Sequence, residues 1–115
     1  MKKNTINIGI LGLGTVGQGT IKILQENKEF IEQGIYPYKI SLKKIADKNK
    51  EIILEDKSYY EILTDSAEEV VTDPEIGIVV ETIGGFEPAR SLIVRALKKG
   101  KHVVTANKEV VAKAG

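Results

Sequence analysis

The sequence contains no cysteine and no tryptophan, and it has one histidine and one methionine. The lack of cysteine excludes a disulfide framework, a thiolate nucleophile and a cysteine-ligated metal site. We therefore expect no bound metal. A chain without cysteine is also compatible with a reducing compartment.

The sequence also lacks an excess of either charge and lacks a long hydrophobic run. Seventeen Lys and Arg face sixteen Asp and Glu, for a net charge of +1, so nothing attracts the chain to nucleic acid or to an anionic membrane. Polar residues interrupt the apolar stretch near the N-terminus, and no apolar run reaches the roughly 18 residues of a membrane span. We expect a cytoplasmic protein with neither nucleic acid nor membrane as partner.

What the sequence does contain is one domain's worth of ordinary globular composition. Its 115 residues are 42% hydrophobic and 29% charged, which is enough to bury a core without cross-links. The sequence ends at Gly115, directly after a helix-like stretch at residues 108–114. We interpret residues 1–115 as one domain of a longer protein.

Strand-like and helix-like segments alternate along the chain. Apolar runs predict strands at residues 6–11, 39–46, 59–64, 77–82 and 102–106, and helical spacing predicts helices at 16–34, 67–71 and 88–100. This alternation predicts an α/β, doubly wound (Rossmann-type) fold with a parallel sheet in the order 3-2-1-4-5. The face of the first helix that we expect to meet the sheet consists of Val16, Thr20, Ile23, Leu24, Phe30 and Ile31.

A glycine-rich turn joins the first strand to the first helix. Gly12, Gly14 and Gly17 form a G-x-G-x-x-G pattern, which in this context predicts a dinucleotide site. Gly12 permits a tight turn, Gly14 lets a pyrophosphate approach the backbone, and Gly17 lets the helix pack against the strand. No Lys-Ser or Lys-Thr follows, which excludes a P-loop. A tight turn without a ligand is the weaker interpretation, because three glycines cost conformational entropy.

An acidic residue follows the second strand, as the dinucleotide interpretation requires. Asp47 lies further from Gly17 than the usual spacing of about twenty residues, and its carboxylate would accept hydrogen bonds from the adenosine ribose, which favours NAD. Lys48 and Lys50 are its neighbours and could bind a 2′-phosphate, which favours NADP. They could equally belong to a solvated basic cluster. These residues leave the choice between NAD and NADP open.

Polar residues also end the fourth and fifth strands, at 81–85 and 105–108. In open α/β sheets the ligand crevice lies at this edge, so a nicotinamide and its ribose could be the partners of Thr105 and its neighbours. The ammonium of Lys108 could polarise an aldehyde oxygen or relay a proton there, or it could cap a helix or pair with Glu81. We expect Glu81 to be structural, and His102 to be a surface residue.

Taken together, four segments resemble homoserine dehydrogenase. They are residues 8–17 (IGILGLGTVG), 79–85 (VVETIGG), 88–90 (PAR) and 96–108 (ALKKGKHVVTANK). They occur in order across nearly the whole chain, and the run at 100–108 is the most specific.

The resemblance implies reversible reduction of L-aspartate 4-semialdehyde to L-homoserine with NADH or NADPH. It implies contact of the dinucleotide with Leu13, Gly14, Thr15 and Val16, of its adenosine ribose with Ala46, Asp47 and Lys48, and of its nicotinamide ribose with Ile83 and Gly84. Lys108 would lie beside the nicotinamide and the substrate.

Two further points follow from the resemblance. Many members of the family carry Arg where this chain has Ala46 and Asp47, which puts a preference for NADP in doubt. The main catalytic groups and the dimerising sheet are expected downstream of residue 115, so the full-length protein would be a homo-oligomer. The segment alone would not be catalytically competent.

Two alternatives remain at this point. One is the nucleotide-binding domain of another oxidoreductase, of the aspartate dehydrogenase or dihydrodipicolinate reductase type. The other is a non-catalytic module that senses a dinucleotide.

Overall fold

A computed structural model describes residues 4–49, 51–54, 56–83, 85 and 87–106. Strands and helices alternate through these residues. In chain order they are β1 (Thr5–Leu11), α1 (Thr15–Gly34), β2 (Lys39–Ala46), a 3₁₀ helix (Lys57–Ile62), β3 (Leu63–Thr64), α2 (Ala67–Thr72), β4 (Ile76–Glu81), α3 (Ala89–Lys98) and β5 (His102–Thr105).

The five strands form one sheet in the order β3-β2-β1-β4-β5, and every neighbouring pair is parallel. The predicted fold class and strand order are confirmed. Leu11, at the end of β1, pairs with Ala46 of β2 and with Glu81 of β4. Three strand ends therefore meet at the point where the strand order reverses, which is where ligands bind in such sheets.

The sheet is covered on both faces. Leu11, Val79 and Ala96 belong to one buried cluster, which includes residues of α2 and α3. Ile10 and Ile21 belong to a second cluster, which includes α1. Because successive side chains of a strand point to opposite faces, β1 contributes to both clusters and is held from both sides.

The expected face of α1 is wrong at three positions. Val16, Ile23 and Phe30 are 55%, 60% and 76% exposed, whereas the buried residues of α1 are Gly17 and Ile21. A Cβ at Gly17 would lie 2.1 Å from the Gly12 carbonyl oxygen. The helix therefore lies directly against the glycine turn at this residue. That contact sets the rotation of the helix and turns the neighbouring row of apolar side chains towards solvent.

The predicted third strand at residues 59–64 is also wrong over most of its length. Residues 57–62 form a 3₁₀ helix, and only Leu63 and Thr64 pair with β2. Asp56 accepts a hydrogen bond from the Ser58 backbone N–H at 3.0 Å, and the Tyr60 hydroxyl accepts one from the Leu54 N–H at 2.8 Å. Such local side-chain bonds compete with strand pairing.

A charged cluster closes the opposite, amino-terminal edge of the sheet. Asp73 is 7% exposed, and its carboxylate lies 2.8 Å from the Lys43 ammonium and 3.2 Å from that of Lys44. The buried Lys101 donates to the carbonyl oxygens of Asp73 and Ile76. Burial alone would raise the pKa of Asp73, but the bonds from Lys43, the Glu75 N–H and Lys44 outweigh it and lower that pKa to about 2.

Within the described ranges, no helix has both the length and the apolar character that crossing a membrane would require.

Candidate functional site

A cavity of about 350 Å³ opens at the carboxyl edge of the sheet. It lies against the ends of β1, β2 and β4 and against α2 and α3. Its described lining residues are Leu11, Gly12, Leu13, Gly14, Ala46, Asp47, Lys48, Asp65, Ala67, Thr82, Ile83, Pro88 and Leu92.

The glycine turn is held tightly against β4. Gly12 has a φ of 98°, a backbone conformation that favours glycine. The Thr82 hydroxyl donates to the carbonyl oxygens of Leu11 and Gly12, at 3.1 and 3.0 Å. A Cβ at Gly17 would lie 2.9 Å from the Thr82 oxygen and still closer to Gly12. This is the close helix–strand packing that the sequence predicts for Gly17.

Gly14, by contrast, faces open space. A Cβ there would meet no atom within 4 Å, and Gly14 is the N-cap residue of α1, with no side chain capping the helix and no acid in its first turn. The first-turn amides of α1 therefore have no capping side chain as a competitor. Room beside the backbone and a helix N-terminus that attracts anions are what a pyrophosphate requires, so these residues fit a dinucleotide.

Asp47 connects the end of β2 to the glycine turn. One of its carboxylate oxygens accepts a hydrogen bond from the Leu13 N–H at 2.6 Å, and the other accepts one from the Asn49 N–H at 2.7 Å. These two hydrogen bonds fix the orientation of the carboxylate at the cavity wall. The preceding residue, Ala46, is 3% exposed and contributes no charge.

Glu81 connects the ends of β4 and β5 beneath the cavity. Its side chain is completely buried. One carboxylate oxygen accepts a hydrogen bond from the Ile83 N–H at 2.8 Å, and the other accepts one from the Thr105 hydroxyl at 2.5 Å. These contacts agree with the structural role expected for Glu81. His102 is exposed at the start of β5, as predicted.

The structure brings seven of the predicted site residues into the wall of this cavity. They are Gly12, Leu13, Gly14, Ala46, Asp47, Lys48 and Ile83. Gly17 instead faces β4, Val16 lies on the exposed side of α1, and Thr105 donates its hydroxyl to Glu81. Thr15 is exposed at the start of α1 and is not in the wall. Lys50, Gly84 and Lys108 lie outside the described residues.

Sequence reasoning missed several lining residues. Asp65 directly follows β3, and the carboxyl ends of parallel strands share an edge, so its position could have been inferred from the strand order. Pro88 and Leu92 belong to the start of α3, and no local motif indicates that this helix borders the cavity. Among the described residues, no group of three His, Asp or Glu side chains could hold a metal ion.

Comparison with known proteins gives one consistent result. Residues 12–115 match the family model described as the NAD binding domain of homoserine dehydrogenase. The homoserine dehydrogenase of Synechocystis sp. is 48% identical over 96% of this chain and 25% of that protein, and the one from Bacillus subtilis is 39% identical over 93% and 24%.

Solved structures agree with the sequence comparison. The homoserine dehydrogenase of Thiobacillus denitrificans superposes with a TM-score of 0.85 and 46% identity, covering 96% of this chain and 25% of that one. The chain thus spans about a quarter of the length of these relatives, and they do not favour an aspartate dehydrogenase or dihydrodipicolinate reductase. The chain belongs to the family of homoserine dehydrogenase NAD-binding domains.

Proposed function

We propose that this chain is the cofactor-binding part of an enzyme that reversibly reduces L-aspartate 4-semialdehyde to L-homoserine with NADH or NADPH. The observation that carries the proposal is the open Gly14 at the uncapped start of α1, beside the fixed carboxylate of Asp47. Family membership supports the reaction, and the remaining three quarters of the relatives' length would supply the substrate half. We also propose that the full-length protein is a homo-oligomer.

In this proposal the residues of the chain bind and orient the dinucleotide. The turn from Gly12 to Gly17 holds the pyrophosphate, the residues after β2 hold the adenosine ribose, and Ile83 with Gly84 borders the nicotinamide ribose. The bound nicotinamide supplies or accepts the hydride. Thr105 acts indirectly, because its hydroxyl is bonded to Glu81.

Lys108 is the candidate for contact with the reacting carbonyl, where its ammonium would hold a proton near the substrate oxygen. The test is oxidation of L-homoserine by the full-length parent, with the Lys108→Ala variant compared with the wild type. We expect the variant to lose at least about a hundredfold in kcat. Unchanged homoserine oxidation by the variant would contradict this role for Lys108, whereas a wild-type parent without this activity would favour the alternative, a module that only senses the dinucleotide.

We further propose that the site prefers NAD to NADP. The charged residues among the described wall of the cavity are Asp47, Asp65 and Lys48, which sum to a negative charge. Asp47 is held at the end of β2, where an acid accepts hydrogen bonds from the ribose 2′-hydroxyl. A 2′-phosphate dianion placed there would be repelled by the carboxylate.

Parallel titrations with NADH and NADPH test this preference. We expect NADH to bind at least about tenfold more tightly, a difference of about 1.4 kcal/mol. Asp47→Asn keeps an acceptor for the Leu13 N–H but removes the charge, and it should reduce the difference between the NADH and NADPH affinities. The control Glu51→Gln removes an exposed acid outside the cavity wall and should leave that difference unchanged. Tighter binding of NADPH to the wild type would contradict the preference.

A further inference from the structure

We propose that Glu81 is a positioning residue for the nicotinamide half of the cofactor, an inference that rests on the proposed function. Its carboxylate holds the turn after β4 and the end of β5 in one arrangement, and thereby shapes the cavity wall at Ile83.

The buried carboxylate of Glu81 requires specific hydrogen-bond partners. It ends β4 and pairs with Leu11 of β1 on one side and Thr105 of β5 on the other. The side chain is fully buried, and burying a carboxylate is costly unless hydrogen bonds compensate. Both oxygens have such bonds, to the Ile83 N–H and the Thr105 hydroxyl.

The hydrogen bonds of the Glu81 carboxylate do more than hold the strands of the sheet together. The backbone ladder already joins the two strands here, since the Ala106 N–H donates to the Glu81 carbonyl oxygen at 3.2 Å. Val79, two residues earlier in β4, is as fully buried as Glu81, but its side chain is apolar. The carboxylate adds bonds that point beyond the ladder, to the residue that lines the cavity and to a side chain three positions before Lys108.

The neighbouring residue completes the arrangement. Thr82 bonds to the carbonyl oxygens of Leu11 and Gly12 in the glycine turn, whereas Glu81 bonds to Ile83 and Thr105. Two consecutive residues at the end of β4 thus hold two neighbouring parts of the cavity wall, since a Cβ at Gly12 would lie 3.1 Å from the Ile83 Cα. Thr82 holds the turn proposed for the pyrophosphate, and Glu81 holds the residue proposed for the nicotinamide ribose.

The experiment compares the affinities of the chain for NADH and for ADP, which lacks the nicotinamide and its ribose. Glu81→Ala should weaken NADH binding about tenfold, the effect of losing about one to two net hydrogen bonds, and should change ADP binding by less than about twofold. Glu81→Gln, which can still accept from Ile83 and bond to the Thr105 hydroxyl, should restore NADH affinity to within about threefold of the wild type.

The matched control is Lys101→Met. Lys101 is a buried charged residue just before the start of β5, at the opposite edge of the sheet, bonded to two backbone carbonyls. Its replacement should lower stability without changing either affinity. This variant shows what a purely structural loss does to the titrations.

If Glu81→Ala does not fold, Thr105→Val and Thr105→Ser give the same test with a smaller change. Valine removes the hydroxyl and should weaken the binding of NADH but not of ADP. Serine keeps the hydroxyl and should leave both affinities unchanged. Equal weakening of NADH and ADP, or no weakening of either, would overturn the positioning role. A wild-type chain that binds neither ligand would instead overturn the proposed function.

Discussion

The packing of α1 and the shape of the proposed site both depend on the absence of a Cβ at Gly17. A Cβ there would lie 2.1 Å from the Gly12 carbonyl oxygen, and backbone on both sides leaves that contact little freedom to relax. The glycine turn could therefore keep its shape only if α1 moved away from β1.

Gly17→Ala is thus predicted to lower the free energy of unfolding by about 1–3 kcal/mol, the usual cost of overpacking, and to abolish binding of NADH. Urea denaturation and a fluorescence titration measure the two effects. The control Gly19→Ala lies in the same helix, where a Cβ would meet nothing within 4 Å. Its free energy of unfolding should rise by about 0.5–1 kcal/mol because alanine favours a helix more than glycine does, and its binding of NADH should be unchanged. Normal binding by Gly17→Ala would contradict the packing argument.

Single residues also show which parts of the site a sequence can reveal. The three glycines and Asp47 follow from a motif, because a turn that approaches phosphate must lack side chains and an acid must follow the second strand. Asp65 required the order of strands as well as its own position in the chain. The bonds of Glu81 to Ile83 and Thr105 required coordinates, because sequence does not fix how two strand ends meet.

At the scale of elements, the rotation of α1 is the feature that sequence patterns did not predict. Counting apolar side chains favours the row of Val16, Ile23 and Phe30, whereas the structure buries Gly17 and Ile21. A glycine adds nothing to a hydrophobic pattern, and its close contact with Gly12 arises only in the folded chain. The strand bounds were easier to predict. β2 is as predicted, β1 and β5 each differ by one residue at one end, and β4 differs by one residue at both ends.

A pair of substitutions in α1 tests this rotation. Ile21 is 6% exposed and Ile23 is 60% exposed, so Ile21→Ala should cost about 2–5 kcal/mol and Ile23→Ala less than about 0.5 kcal/mol. Urea denaturation of the two variants gives both values. Equal costs, or a larger one for Ile23, would show that α1 packs on its other face.

The loop between α2 and β4 gives the fold a dependence on acid. Because the folded state lowers the pKa of Asp73 from 3.8 to about 2, this group contributes stability that is fully present above pH 4 and is lost as the pH falls towards 2. The shift corresponds to about 2 kcal/mol.

Asp73→Asn should therefore be less stable than the wild type near pH 6, and the difference should shrink by about 2 kcal/mol on acidification to pH 2. Denaturant unfolding at several pH values measures it. The exposed acid Glu26, changed to Gln, is the control and should leave the wild-type profile unaltered. A constant difference between Asp73→Asn and the wild type at all pH values would rule out this ion cluster as the cause.

At the scale of the whole molecule, the described residues form one sheet whose carboxyl edge carries the features of a dinucleotide site. The cavity wall draws on the residues after β1, β2, β3 and β4 and on two helices, so folding and assembly of the site are the same event. The strand order followed from the alternation of elements, because few arrangements satisfy right-handed parallel connections. The chain spans about a quarter of the length of the relatives it matches, and the proposed function therefore gives it cofactor binding alone.

The most direct test of this account is a titration of the purified 115-residue chain with NADH and with NADPH, followed by nicotinamide fluorescence. We expect saturable one-to-one binding of NADH below millimolar concentration, weaker binding of NADPH, and no oxidation of L-homoserine by the chain alone. Failure of the folded chain to bind either dinucleotide at millimolar concentration would contradict it.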